Sequence, residues 1–305
     1  MKHIKLIITR AIVVYLLLFT AIWYVPWFHL ARAHTIAQML TRLNPKIDYF
    51  QDFVNPHDNF AVHQLNLCVN YHKRIEQLIP TERSEAYQMI AYCYGLLGDS
   101  ERAEKYYEMS TTVTSGPYYF WPYYNLGIFA FRKGDYSKAV QYFQKALETK
   151  EAVNHWIWRH SKVFHDVRVS DPYNLEDHFS EHFMESRKQA YFLLMESKVK
   201  LEDYDKLFKA VSLGIKENLG EGDVFYYYGG VGDFYRGNYN EALIFLNLAL
   251  HLNPDNSDVI LYMGKCMQAI GRQDLADRLF KQADYIKQRD GSFMGKRLDP
   301  PLRFF

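Results

Sequence analysis

Residues 153–187 hold five of the chain's 12 histidines: His155, His160, His165, His178 and His182. His178 and His182 stand four positions apart, so a helix would place both imidazoles on one face, with Glu181 beside them. Two neutral imidazoles and one further donor could hold zinc, and Glu181 could then act as general base on a metal-bound water. The chemistry would be metal-assisted hydrolysis. No distinct third ligand stands out downstream, and two fixed histidines in five residues arise easily by chance where histidine is abundant. The competing reading is an amphipathic, aromatic and histidine-rich segment packed on a helical body or on a partner. His178, Glu181 and His182 therefore stand as candidate metal ligands only, and neither a resident metal nor a cofactor is expected.

The H-x-x-E-H order is similar to that of the inverted zinc proteases, but no catalytic domain surrounds it. Gly229-Gly230-Val231-Gly232 is glycine-rich without the spacing of a dinucleotide or phosphate loop. Three cysteines, with no C-x-x-C, are too few for a disulfide scaffold. Cys93 and Cys266 fall at one repeat position, where Gly232 stands in another copy, which reads as helix packing rather than a nucleophile; Cys68 has no recognisable context. Thirty-six Lys+Arg against 35 Asp+Glu leave a net charge of +1, which argues against bulk electrostatic binding of nucleic acid. At 49% hydrophobic and 23% charged the chain can build a core, and its aromatic share of 17% is high. The chain reads as non-enzymatic.

The elements that must carry these residues repeat. Asp223–Asn256 and Ser257–Asp290 are consecutive 34-residue copies: Gly237 and Gly271, Gly230 and Gly264, Ala242 and Ala276, Ala249 and Ala283 stand in register. Earlier copies fit at Ser84–Pro117 and Phe120–Ala152, through Tyr87, Ala91, Gly98, Ala103 and Tyr107, and through Tyr123, Leu126, Gly127, Gly134, Ala139, Phe143 and Ala146. A weaker copy begins near Lys188, where Leu207 replaces a small residue and predicts a splayed helix pair. These residues resemble the tetratricopeptide repeat (TPR), a helix–turn–helix unit. The resemblance implies an all-α fold in which about five helix pairs stack into a solenoid, each burying its apolar face against its neighbours. Glycines at 98, 134 and 237 supply the left-handed residue that ends each first helix. Gly127, Gly230 and Gly264 are expected to let the paired helices approach, facing Ala139, Ala242 and Ala276.

Ala11–Ala31 contains no charged residue across 21 positions, enough to cross the roughly 30 Å hydrocarbon layer as a helix. Trp23, Tyr24, Trp27 and Phe28 suit the headgroup interface, and Lys2, Lys5 and Arg10 keep the N-terminus in the cytoplasm. The competing reading is a cleaved signal peptide ending at Ala31-Arg32-Ala33. The expected organisation is a cytoplasmic N-terminus (1–10), a transmembrane anchor (11–31), membrane-proximal helices (32–83), two repeats (84–152), an inserted segment (153–187), three repeats (188–290) and a tail (291–305).

The resemblance also implies a concave peptide-binding groove, lined here by Gln88, Tyr92, Trp121, Tyr124, Ile128, Phe131, Phe192, Tyr227 and Phe234. Family members that clamp a C-terminal carboxylate use Lys, Arg and Asn on these faces. Only Asn125 matches, because Gln88 and Tyr92 stand in for the expected Lys and Asn; an aromatic groove suits an apolar or helical segment instead. The expected function is a membrane-tethered scaffold or adaptor whose partners are proteins of a membrane-associated complex. It would sit in a bacterial inner membrane with its repeats in the periplasm, touch the bilayer through 11–31 and bind no nucleic acid. The alternatives are an accessory subunit of envelope assembly (secretion, pilus or polysaccharide export) and a metal-binding protein built on the inserted histidines.

Overall fold

The computed structural model describes residues 59–78, 83–113, 120–148, 175–217 and 222–292, with isolated positions at 13, 14, 294 and 298. Eleven α-helices make up the described residues: α1 (Asn59–Leu78), α2 (Arg83–Leu96), α3 (Ser100–Val113), α4 (Phe120–Arg132), α5 (Tyr136–Glu148), α6 (Leu175–Lys200), α7 (Tyr204–Glu217), α8 (Gly222–Tyr235), α9 (Tyr239–Leu252), α10 (Ser257–Ala269) and α11 (Gln273–Asp290). Met1–Gly116 and Pro117–Pro301 form two compact units. The first holds α1–α3 and the second α4–α11.

In the first unit α2 packs between α1 and α3. Nearly every described position of α2 is buried, with Ala103 and Tyr107 of α3 against one side and Leu65, Cys68 and Val69 of α1 buried in the same unit. Lys73 Nζ donates to Tyr94 Oη at 3.1 Å, and Tyr87 Oη donates to Glu76 at 3.0 Å, fixing the register of α1 on α2. Asp99 accepts the backbone N–H of Arg102 at 2.9 Å and so caps α3.

In the second unit the helices form hairpins, α4/α5, α6/α7, α8/α9 and α10/α11, stacked in chain order. The first helices also touch one another, α4 on α6, α6 on α8 and α8 on α10, which makes their layer the inner side of the stack. Within three of the hairpins, α4/α5, α8/α9 and α10/α11, a first-helix glycine makes room for a large side chain of the second helix. A Cβ on Gly127 would lie 2.5 Å from the Phe143 ring, and one on Gly264 would lie 2.6 Å from Phe280. At Gly230 both apply, since Leu246 would stand at 2.6 Å and the Ala242 carbonyl at 3.1 Å. Ala139, Ala242 and Ala276, the small residues expected to face these glycines, are fully buried alongside.

Five turns repeat one geometry. Gly98, Gly134, Gly237 and Gly271 have φ of 77, 76, 82 and 80°, and Glu202 takes the same place at 56°. In each, the residue after the left-handed position donates back to a first-helix carbonyl five residues earlier, as Asp99 does to Tyr94 and Asp203 to Lys198, both at 2.9 Å. A β-carbon in the left-handed region costs about 1–2 kcal/mol. Glu202→Gly is therefore expected to stabilise the second unit by about 0.5–1 kcal/mol, after the extra entropy of an unfolded glycine is subtracted. Thermal unfolding should show a Tm rise of about 2 °C; an unchanged or lower Tm would contradict this account.

Two expectations change in the middle of the chain. The boundary expected at 187 falls inside α6, because no Gly or Pro interrupts Leu175–Lys200. The inserted segment does not break the array either, since α5 packs directly on α6. The α6/α7 hairpin is the loose one: α6 packs more extensively on α5 than on its own partner α7. Leu207, fully buried at the start of α7, occupies the position where the other pairs carry alanine. The expected anchor, 11–31, lies outside the described residues except for Val13 and Val14, which are helical and about half exposed. Among the described residues no helix is long and apolar enough to cross a membrane.

Candidate protein-binding face

Packing takes up most of the residues expected to line the groove. On α2, Gln88 and Tyr92 are buried, and the Gln88 amide donates to Ser84 Oγ at 3.3 Å. On α4, Tyr124 and Ile128 are buried while Trp121 and Phe131 are half-buried. Phe120 stacks on Tyr124 with ring centroids 5.5 Å apart, and Phe183 of α6 meets Phe120 at 4.9 Å and Trp121 at 6.4 Å. Phe192 of α6 is buried against Phe225 at 5.7 Å. On α8, Tyr227 is buried and Phe234 half-buried. Six of the nine, Gln88, Tyr92, Tyr124, Ile128, Phe192 and Tyr227, thus present almost no surface: α1 and α3 enclose α2, and in the second unit neighbouring first helices touch. Trp121, Phe131 and Phe234 keep some.

An aromatic cluster on the inner layer joins α8 to α10. Tyr262 of α10 meets Phe234 at 5.6 Å, Tyr227 at 5.7 Å and Tyr235 at 6.3 Å, in edge-to-face arrangements. Tyr204, at the start of α7, stacks on Tyr235 at 5.2 Å and 10°. Tyr235 is 46% exposed. The phenol oxygens of Tyr235 and Tyr262 lie 3.3 Å apart, and Lys265 Nζ stands 4.1 Å from the Tyr262 ring centre. From α6, Glu196 accepts the Tyr228 hydroxyl at 3.0 Å and pairs with Lys200 at 3.3 Å. Burial raises the phenols of Tyr227 and Tyr228, and burial followed by the Tyr235 hydrogen bond raises that of Tyr262. These rings are neutral at physiological pH, apolar in body and polar at the tip, the character of interface hot spots. Sequence reasoning missed Tyr235 and Tyr262. The available signals were that Tyr235 adjoins Phe234 and that Tyr262 follows Tyr228 by one 34-residue period.

The first unit brings together a cluster that sequence reasoning also missed, Cys68, His72 and Cys93. Cys68 Sγ lies 3.6 Å from His72 Nδ1, the separation of a nucleophile and its base. Nδ1 also lies 2.9 Å from the Cys68 carbonyl, which can only accept, so that nitrogen carries the proton and cannot take one from the thiol. Burial, followed by a hydrogen bond with Cys68, holds the Cys93 thiol well above its usual range, and all three residues are buried. The cluster is packing. His178, Glu181 and His182 lie on the backbone of α6 with side chains outside the described part, and His155, His160 and His165 lie outside the described residues. Among the described residues no group of three His, Cys, Asp or Glu is placed to hold a metal.

The raised groups of the second unit set an alkaline limit. Cys266 is pushed up by burial to about 11 from 9.0, and Tyr227, Tyr228 and Tyr262 lie above 10.0. The unfolded chain loses these protons first, so the folded state gains stability that is complete below pH 9 and falls as pH rises through 9–11. Urea midpoints are expected to agree at pH 7.5 and 8.5 and to drop at pH 10.5. A flat profile would show that these groups ionise equally in both states.

Models of the tetratricopeptide repeat match residues 84–113 and 121–151, which cover α2/α3 and α4/α5. The chain carries tetratricopeptide repeats. Among solved structures, BtubC from P. vanneervenii is 15% identical, covering 75% of this chain and 90% of its own, with a TM-score of 0.51. YrrB, a TPR protein with an unusual peptide-binding site, is 18% identical over 72% of this chain and 92% of its own, with a TM-score of 0.49. The C-terminal part of a TPR repeat-containing protein from Cytophaga hutchinsonii is 14% identical over 79% and 82%, with a TM-score of 0.49. The BtubC likeness supports the all-α repeat fold. No curated protein matches the chain significantly. TPR proteins generally mediate protein–protein interaction.

Proposed function

We propose that the protein is a membrane-anchored, non-enzymatic adaptor that holds a protein partner against the inner layer of its second unit. The observation that carries this reading is the half-exposed aromatic face of α8 and α10, with Tyr235 46% exposed on a helix otherwise taken up in packing. Aromatic rings on a rigid helix offer a large contact area at small entropic cost, which favours an apolar or helical segment of a partner. Anchoring through residues 11–31 rests on their uncharged, aromatic-ended sequence. That would hold the repeats on the far side of a bacterial inner membrane, beside a membrane-associated complex. An accessory role in envelope assembly is compatible with this placement.

Two measurements test the reading. Phe234→Ala with Tyr235→Ala is expected to weaken recovery of the co-purifying complex from native membranes about tenfold or more, with unchanged helicity. Equal recovery removes this face as the binding site. In an alkaline carbonate wash the full chain should stay with the membrane, whereas a chain beginning at residue 34 should be released; release of both would remove the anchor. Stoichiometric zinc in the purified full chain would favour the metal-binding alternative on His178 and His182.

A further inference from the structure

The second helix of each hairpin turns one side to solvent, and the repeat marks which positions those are. Gln141 and Lys145 of α5, and Arg278 and Gln282 of α11, stand at equivalent positions, and all four are exposed. In α9 those positions hold Ile244 and Leu248, 63 and 44% exposed, and Leu252 one turn further on is 54% exposed. Single aliphatic residues on a surface need no explanation, but three along one helix make a patch. Leu213 of α7, at the position of Leu248, is exposed too. Phe208 of α7 meets Phe245 of α9 at 6.2 Å, so the two helices lie side by side. Polar groups bound the stripe: Glu241 stands in the first turn of α9 and His251 in the last, both exposed. At 3.6 residues per turn, Glu241, Ile244, Leu248, His251 and Leu252 share one face about 100° wide. We propose that this outer face of α9 pairs antiparallel with the same face of a second copy of the chain, across a two-fold axis.

The inference concerns the outer layer and does not depend on the inner aromatic face. A two-fold contact must be self-complementary, residue i meeting j while j meets i. The spacing in α9 satisfies this. Glu241 lies three residues before Ile244, and His251 three residues after Leu248. The register that seats Ile244 on the second copy's Leu248 therefore also brings Glu241 to the second copy's His251, and the symmetry makes each contact twice. An imidazole N–H can donate to the carboxylate there. A parallel pair would set carboxylate against carboxylate, and like charges disfavour that arrangement. The helix macrodipoles also oppose each other in the antiparallel order. Leu252 then lies over the first turn of the second copy's α9, and Leu213 of α7 widens the apolar contact on one side. A different partner would have to supply the same apolar spacing with an acceptor and a donor in reversed order. The α9 face carries both halves of that match itself.

The test is sedimentation equilibrium of the full chain in detergent, from about 1 to 100 μM. The native chain should form dimers in that range. Ile244→Lys with Leu248→Lys should raise the dissociation constant about tenfold or more at unchanged helicity, since the repeat tolerates polar residues at both positions. Glu241→Lys alone and His251→Glu alone should each weaken the dimer, and the two together should restore it to within about twofold of the native value. A native chain that stays monomeric overturns the proposal. So does a dimer indifferent to the lysine pair, which would associate through another part of the chain, and so does a charge exchange that restores nothing. Phe234→Ala with Tyr235→Ala should leave the dimer unchanged; its loss there would assign self-association to the inner face and overturn the proposal. If the native chain is monomeric while the lysine pair lowers recovery of the complex from native membranes, the stripe takes a different protein and self-pairing falls.

Discussion

Glu217→Ala is expected to destabilise the second unit by about 3–5 kcal/mol, more than the Arg187→Met change of its partner. Arg187 of α6 is 5% exposed and Glu217 at the end of α7 is 31% exposed. The guanidinium donates to both carboxylate oxygens, at 2.6 and 2.7 Å, and to the Leu147 carbonyl near the end of α5 at 3.0 Å. Tyr191 donates to the same carboxylate at 2.7 Å. One side chain therefore ties together the C-terminal ends of α5 and α7, where helix dipoles favour a cation. Removing Glu217 leaves a buried guanidinium that cannot shed its charge, and a buried phenol without its acceptor. Arg187→Met keeps the volume and leaves Glu217 partly in water, so its cost should be nearer 1–2 kcal/mol. Denaturant unfolding of the two variants reads the order directly. A larger loss in Arg187→Met would show that packing, not the buried charge, sets the energy.

That clamp explains what was legible in the sequence and what was not. Strong copies announced themselves because their signature is local: Gly134 and Gly237 adopt the left-handed turn they imply, and Gly127 and Gly264 need a neighbour's ring that sits within the same copy. The third pair is faint because its local rules are broken by Leu207 in a small position and Glu202 in a glycine turn. Its cohesion comes instead from Arg187 and Glu217, 30 residues apart, a separation that no periodicity marks. The groove was read less well for a related reason. Spacing says which first-helix residues point away from their own partner, but not whether the next repeat closes over them. Tyr124 and Phe192 follow the spacing and end fully buried, while Tyr262, one period after the buried Tyr228, keeps some surface. Cys68 gained context through His72, one turn on in α1, and through Cys93 on a different helix.

Gly214→Ala should cost the second unit about 2 kcal/mol although alanine is the better helix former. On propensity alone the change would stabilise α7 by about 1 kcal/mol. The new methyl would run into the Phe225 ring of α8, reaching within 2.6 Å of Cδ1 and 2.7 Å of Cζ. Phe225 cannot yield easily: it is 1% exposed and wedged between Tyr191 at 6.0 Å and Phe192 at 5.7 Å. Overpacking a core at such contacts costs up to about 3 kcal/mol, which outweighs the propensity gain. The contact lies between consecutive repeats, α7 against α8, so the loss reports on stacking rather than on the hairpin. Phe225→Leu alone should destabilise by opening space beside Gly214, and alanine can fill part of that space. The double variant should therefore be more stable than the sum of the two single changes by about 1 kcal/mol or more, measured as a coupling energy from urea unfolding. Additive losses would mean that Gly214 is needed for the backbone of α7 and not for the ring that crosses it.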